Sequence, residues 1–309
     1  MVYRWKLLAV VLLLLFFSQL AGACRAPARR PAGEEPNISL YLHETGEIKR
    51  INLEEYLLGV VAAEMTPDWH QNALAAQAIL ARTYTMKKIM DGGVEARGTD
   101  ASTDIEEFQA YDADKVNDNV RQAVESTRGQ VVMYQGNYIN GWFHAYGGSR
   151  TAASAVEGLS YEREEAPYIH SVPDPGQAIT TAENKSWTAD FSSSELAAAV
   201  KKVSGQNPGS IKTISIAERG PSGRVTRFKV NGQTVNAPAL RLALGSERLR
   251  STLISDVTLK GERVVFAGEG YGHGVGMSQW GARALAEQGK TPEEIINYFF
   301  KDIELVKVW

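Results

Sequence analysis

An α+β fold is predicted for this 309-residue chain from three observations. Residues 51–90 carry apolar stripes at helical spacing, residues 131–144 read as a hairpin, and short alternating strands with tight turns fill about 187–266. The expected architecture is a mixed main domain bearing the helices, with a smaller β-rich subdomain inserted at about 187–266. The length is enough to bury one large core or two smaller ones.

The folded part, 38–309, begins with Ile38-Ser39-Leu40-Tyr41-Leu42, an alternating strand. A helix follows in which Leu53, Leu57, Val60 and Val61 form an apolar stripe, with Asn52 and Glu55 as a capping box. Thr66-Pro67 supplies an N-cap and a first-turn proline for a second helix to about Met90. Its stripe is Ala75, Ala78, Ile79, Met86 and Ile89, and Arg82 lies inside it. A guanidinium there needs a partner, Glu64 or a backbone carbonyl, because an unpaired buried charge is costly. Val116, Val120, Ala123, Val124 and Thr127 suit a third helix ended by Gly129. Strands at 131–134 and 138–144 flank Gln135-Gly136-Asn137, and Tyr138, Asn140, Trp142 and His144 share one face of the second.

In the β-rich stretch Ser192 and Glu195 cap a short helix, and strands follow. Ile214 and Ile216 precede the turn Gly220-Pro221-Ser222-Gly223, and Phe228 and Val230 precede the tight Asn231-Gly232 turn. Met277, Gln279 and Trp280 begin a helix packing on the core, and Thr291-Pro292-Glu293-Glu294 caps a final one.

The chain opens MVYRWK and is then apolar over 7–23 apart from Ser18 and Gln19. Cations ahead of such a run make an export signal, just long enough to remain as an uncleaved membrane anchor. Ala21-Gly22-Ala23 fits a cleavage site, and Cys24 directly after it suggests a lipoprotein junction, although Ala21 stands where such sites usually carry leucine. Residues 1–24 are therefore a signal or anchor, and residues 25–37, RAPARRPAGEEPN, a proline-rich linker. Every route places the domain outside the cytoplasm. The formal charge of −3 becomes −5 once Arg4 and Lys6 are removed with residues 1–23, and no basic patch stands in the linear sequence, which argues against nucleic acid. One cysteine excludes an intramolecular disulfide and a thiolate zinc cluster.

Glu64 is the next residue on the first helix's apolar stripe. Pattern alone allows two readings. Loss of hydration among apolar groups raises a carboxyl pKa and makes it a proton donor near neutral pH. Alternatively, Glu64 turns outward at the helix end and is solvated.

The run 57–86, with its Gly-Val-Val-Ala-Ala-Glu-Met and Ala-Gln-Ala-Ile-Leu-Ala-Arg-Thr-Tyr, closely resembles the stage II sporulation protein D family (the SpoIID/LytB domain). Phe143-His144, Gly147-Gly148 and Arg150-Thr151 resemble its His…Gly-Gly-x-Thr segment. Gly272-His273-Gly274-Val275-Gly276-Met277-Ser278-Gln279-Trp280-Gly281-Ala282 is similar to its C-terminal signature. The motifs follow the family's order over most of 38–309. The resemblance implies a lytic transglycosylase that cuts peptidoglycan glycan strands, in sporulation-linked wall remodelling, on strands already stripped of stem peptides. It implies that Glu64 is the catalytic acid, and that Arg82, Gln109, Tyr111, His144, Gly147, Gly148, Arg150, Thr151, His273, Ser278 and Gln279 serve the glycan site. Some relatives hold a metal near the His144-like segment through cysteines; this chain has none there, so no metal and no cofactor are expected.

Most glycosidases use two carboxylates, whereas a lytic transglycosylase can manage with one, because the muramic acid C6 hydroxyl attacks within the same sugar. Glu64 reads as the only acid embedded in a strongly patterned apolar run. Asp104, Glu106 and Glu107 lie in a polar stretch, with Asp104 able to line a cleft. Gln109 and Tyr111 belong to a segment resembling the family's Gln-x-Tyr. His144 and His273 are read as cleft residues, with structural support as the rival. The glycine run 270–276 lacks the βαβ unit and acid of a dinucleotide loop. A rival function is a non-catalytic wall-binding protein that stimulates a peptidoglycan amidase; a metallohydrolase using His144, His170 and His273 lacks any HExxH-like pair.

Overall fold

The computed structural model describes residues 33–309, and 34–309 form one compact unit. The expected signal or anchor, Cys24 and most of the linker lie outside the described residues. Among those described, no helix is long and apolar enough to cross a membrane.

The fold is mixed α+β, with several small sheets around packed helices. Strand β1 (Asn37–Tyr41) pairs antiparallel with β2 (Ile48–Asn52), and β3 (Ala101–Ser102) joins β1 in parallel. From β2 the chain enters α1 (Leu53–Glu64). Leu53, Leu57, Val60 and Val61 are fully buried, and so are Tyr56 and Ala62 on other sides, so α1 runs through the main core rather than along its surface. Asn52 occupies the N-cap position, but the expected capping box is absent. The Asn52 amide oxygen accepts from Asn37 instead, and Glu35 accepts from the Glu54 N–H at 3.0 Å.

Helix α2 (Gln71–Met90) begins later than Thr66-Pro67 predicts, with His70 as N-cap accepting from the Asn72 N–H. Asn119 donates to the carbonyls of Pro67 and Trp69 and holds 65–70 as a turn. Arg82 is fully buried, and it finds the backbone carbonyls expected of it, while the acid that meets it is Glu54 rather than Glu64. Its guanidinium meets Glu54 at 2.6 and 3.0 Å and donates to the carbonyls of Gln130, Ala78 and Val124. Glu54 also accepts from the Gly129 N–H and the Trp309 indole. Glu64 is therefore not the only embedded acid: Glu54, Glu157 and Asp174 are buried as well, each tied to donors.

Helix α3 (Asp118–Ser126), which leaves Val116 outside it, leads to the hairpin of β4 (Gln130–Tyr134) and β5 (Asn137–Tyr138). The expected second strand breaks after Tyr138. Phe143–His144 form β6 in a different sheet, and Asn140 and Trp142 turn to Tyr168 and Tyr161 rather than sharing a face with His144. Short helices α4 (Ala155–Leu159) and α5 (Ala182–Lys185) follow.

A second buried cluster draws all its members from 187–266. It comprises β7 (Trp187–Ser192), α6 (Ser193–Ser204) with its Ser192–Glu195 capping box, β8 (Ile214–Arg219), β9 (Val225–Val230), β10 (Gln233–Asn236), α7 (Ala237–Leu244), β11 (Ile254–Lys260) and β12 (Arg263–Gly268). The order β10-β9-β8 makes one sheet and β11-β12-β7 another. Phe191, Phe228 and Phe266 interlock edge-on between them. Helix α7 is an element the strand reading of this stretch did not contain; Pro238 sits in its first turn, where a missing N–H does no harm.

The chain returns through β13 (Met277–Ser278), which pairs in parallel with β6, so Met277 is a strand residue rather than the start of a helix. Helix α8 (Gln279–Glu287) follows, then α9 (Pro292–Phe299), capped by Thr291 and Glu294, and β14 (Glu304–Lys307) closes on β4.

Candidate active site

Glu64 is the last residue of α1, at the edge of the core that the helix crosses. Its side chain is partly exposed, and its two oxygens are held from different directions. The Ala110 N–H donates to Oε1 at 3.0 Å, and the Gln279 amide reaches Oε2 at 3.4 Å. Burial pushes its pKa from 4.5 up to about 7, and the two hydrogen bonds oppose that rise without cancelling it. No charge on another carboxylate contributes among the described residues. The result is a carboxyl that holds its proton near neutrality yet can be reached from outside.

The Gln109–Tyr111 segment acts on this carboxyl through its backbone. Gln109 is buried and donates to Thr85, and Tyr111 stacks on Tyr56 with centroids 5.7 Å apart and rings nearly parallel. A Cβ on Gly59 would lie 2.4 Å from the Tyr111 ring, so the bare glycine in α1 is what lets that ring lie against the helix. The segment is thereby fixed with the Ala110 N–H aimed at Glu64. Beside it opens a depression of about 570 Å3, lined by His43, Asp104, Glu106, Ala110 and Tyr111 among others, in which His43 meets Asp104 at 3.1 Å. Burial, and to a lesser degree the charge of Glu64, raises the pKa of the Tyr84 hydroxyl to about 12.

The two glycine-bearing segments meet at β6 and β13, where Phe143 pairs with Met277 and His144 with Ser278. The next residue, Gln279, is the one that reaches Glu64. Ser278 is fully buried and serves as N-cap of α8, accepting from the Gly281 N–H. His144 is buried, its Nδ1 at 3.2 Å from the Val275 carbonyl and its Nε2 without a partner. Its ring lies 5.6 Å from that of His273, whose Nδ1 accepts from the Val275 N–H. Desolvation lowers both pKa values, that of His273 to about 3, so both rings are neutral.

Gly147, Gly148, Arg150 and Thr151 form a supporting turn rather than contacts of Glu64. Asp174 accepts from the Gly147 N–H at 2.7 Å, and Thr151, fully buried, bonds the backbone at His170 and Val172. Arg150 is exposed and donates to Ser171. Arg224, invisible in the sequence reading, is fully buried and donates to the carbonyls of Gly147 and Arg150. Arg82 lies at the far end of α1, since ten residues of helix span about 15 Å. Among the described residues, no three His, Cys, Asp or Glu side chains converge as a metal site.

The comparisons agree on kinship. Residues 41–134 match the family model of stage II sporulation protein, SpoIID, and residues 176–276 match a domain of unknown function, DUF8618. The chain is 32% identical over 262 residues to an uncharacterized protein of Brachyspira hyodysenteriae, covering 84% of this chain and 68% of the relative. It is 28% identical over 284 residues to the stage II sporulation protein D of Bacillus subtilis, covering 87% and 78%. It is also 28% identical over 290 residues to the amidase enhancer of Bacillus subtilis, covering 79% of this chain and 39% of that protein. This chain belongs to the stage II sporulation protein D family.

Proposed function

We propose that this protein is a peptidoglycan lytic transglycosylase, acting outside the cytoplasm in sporulation-linked remodelling of the cell wall, with Glu64 as general acid and then base. The observation that carries this is the state of Glu64: protonated up to about pH 7, oriented by the Ala110 N–H and Gln279, and without a second carboxylate acting on it. Neutral Glu64 donates its proton to the departing glycosidic oxygen. The muramic acid C6 hydroxyl attacks the anomeric carbon, and its proton passes to the Glu64 carboxylate. One C–O bond breaks, another forms within the sugar, and no water is consumed. The usual hydrolytic route needs a second carboxylate about 5–9.5 Å away; Glu54, the buried acid on the same helix, lies about 15 Å along its axis and is bound to Arg82, so it does not fill that role.

The likeness to an amidase enhancer supports a second reading, in which the protein stimulates a peptidoglycan amidase without cutting glycan itself. Peptide-free glycan strands separate the two. Purified protein should leave 1,6-anhydro-muramic ends, each lighter than a reducing end by one water, and Glu64→Gln should leave none. Reducing ends would establish hydrolysis, and intact glycan strands together with faster release of stem peptides from whole peptidoglycan by an added amidase would establish the enhancer.

A further inference from the structure

Two indoles stand next to the segments that position Glu64. Trp69 lies in the turn between α1 and α2, and Trp280 directly follows Gln279. Their ring centroids are 4.8 Å apart, with the planes tilted by 58°. The Arg283 guanidinium lies over both, 5.1 Å from the Trp69 centroid and 5.3 Å from that of Trp280, and Glu287 anchors it at 2.8 Å. Both indoles keep part of their surface open. The guanidinium covers part of the pair, and the indole surface that stays open is what a ligand can meet.

A pyranose presents a C–H face that lies against an aromatic ring while its hydroxyls stay in water. Indole suits that contact, being large, rigid and ordered at small entropic cost. Position gives the pair its meaning. Ala110, which donates to one Glu64 oxygen, lines the depression beside Tyr111, and Gln279, which reaches the other oxygen, is followed directly in the chain by Trp280. A strand cut in its interior has to extend both ways from the broken bond. We propose that Trp69 and Trp280 form a sugar-stacking subsite for the glycan residue lying on the Gln279 side of Glu64, preorganised by Arg283; this rests on the reading of Glu64 as the residue that acts on glycan.

The competing account is a staple that merely ties the 65–70 turn to α8. Calorimetric titration of peptide-free glycan oligosaccharides into the Glu64→Gln protein separates the two. Adding Trp280→Leu or Trp69→Leu should weaken binding about tenfold, and Trp280→Phe, which keeps an aromatic face, should stay within about threefold. Unchanged affinity in folded leucine variants overturns the subsite, whatever happens to their melting temperature. Should those variants not fold, N-bromosuccinimide oxidation of the Glu64→Gln protein, mapped by peptide mass, supplies the answer. Bound oligosaccharide should protect Trp69 and Trp280, and equal oxidation with and without it overturns the proposal. Protection and weakened binding alongside a wild-type protein that never cleaves would keep the subsite and discard the enzymatic reading.

Discussion

Glu64→Gln is expected to make the protein more stable at alkaline pH while it removes activity. Burial raises the carboxyl pKa from 4.5 to about 7. A rise of about 2.5, at ~1.36 kcal/mol for each pKa unit, corresponds to ~3.4 kcal/mol. Solvent at the partly exposed side chain screens some of this, which leaves about 2 kcal/mol. Between about pH 4.5 and 7 the folded protein holds a proton that the unfolded chain has released, so stability falls as pH rises through that window. The loss is complete above pH 7 and absent below 4.5. Glutamine keeps the shape, can accept from the Ala110 N–H and carries no charge. At about pH 8.5 the variant should exceed wild type by about 2 kcal/mol, or about 4–8 °C in melting midpoint, and at about pH 4 the two should coincide. Scanning calorimetry across that range at fixed ionic strength reads the difference directly. A difference that does not change with pH, or a variant less stable at alkaline pH, would show that Glu64 does not hold its proton to about pH 7 in the folded protein.

Cleavage should follow the same group: kcat/KM is expected to fall above about pH 7 as the acid loses its proton, and a profile flat to strongly alkaline pH would exclude Glu64 as donor. Arg82→Met should destabilise by about 3–5 kcal/mol in urea unfolding, because it strands Glu54 in the core. Adding Glu54→Leu should recover much of that loss, and no recovery would show that the carbonyl contacts of Arg82 dominate. Gly59→Ala drives a methyl into the Tyr111 ring and should destabilise by about 1–3 kcal/mol; kcat should drop further than stability explains, since Ala110 moves with Tyr111.

The apolar stripe of α1 and the need of Arg82 for a partner were legible in sequence, because both follow from local periodicity. Which acid answers Arg82 was not, since the Glu54 pairing depends on how α1 and α2 cross and on Gly129 and Trp309 arriving from elsewhere. The strand to His144 was overdrawn for a similar reason: 143–144 pairs with 277–278, a contact no local pattern announces. Thr66-Pro67 carries a sound start signal, but Asn119 holds that turn and the start passes to His70. Gln109 and Tyr111 carried a motif, yet the contact to Glu64 comes from the N–H of Ala110, which has no side-chain signature. Asp174 and Arg224 left no trace, because their burial is decided by segments far away in the chain.

Arg224 ties the second buried cluster to the glycine segments in a way that bears on how such chains diverge. Its guanidinium fills the space that a side chain at Gly274 would need, with an added Cβ only 2.3 Å from it. Neither residue is free to change: Gly274 has a φ of +81°, which strains any side chain, and one there also meets the arginine, while a smaller residue at 224 leaves the Gly147 and Arg150 carbonyls without that donor. A recombinant that exchanges the β-rich segment between two relatives would therefore work only when arginine and glycine travel as a pair.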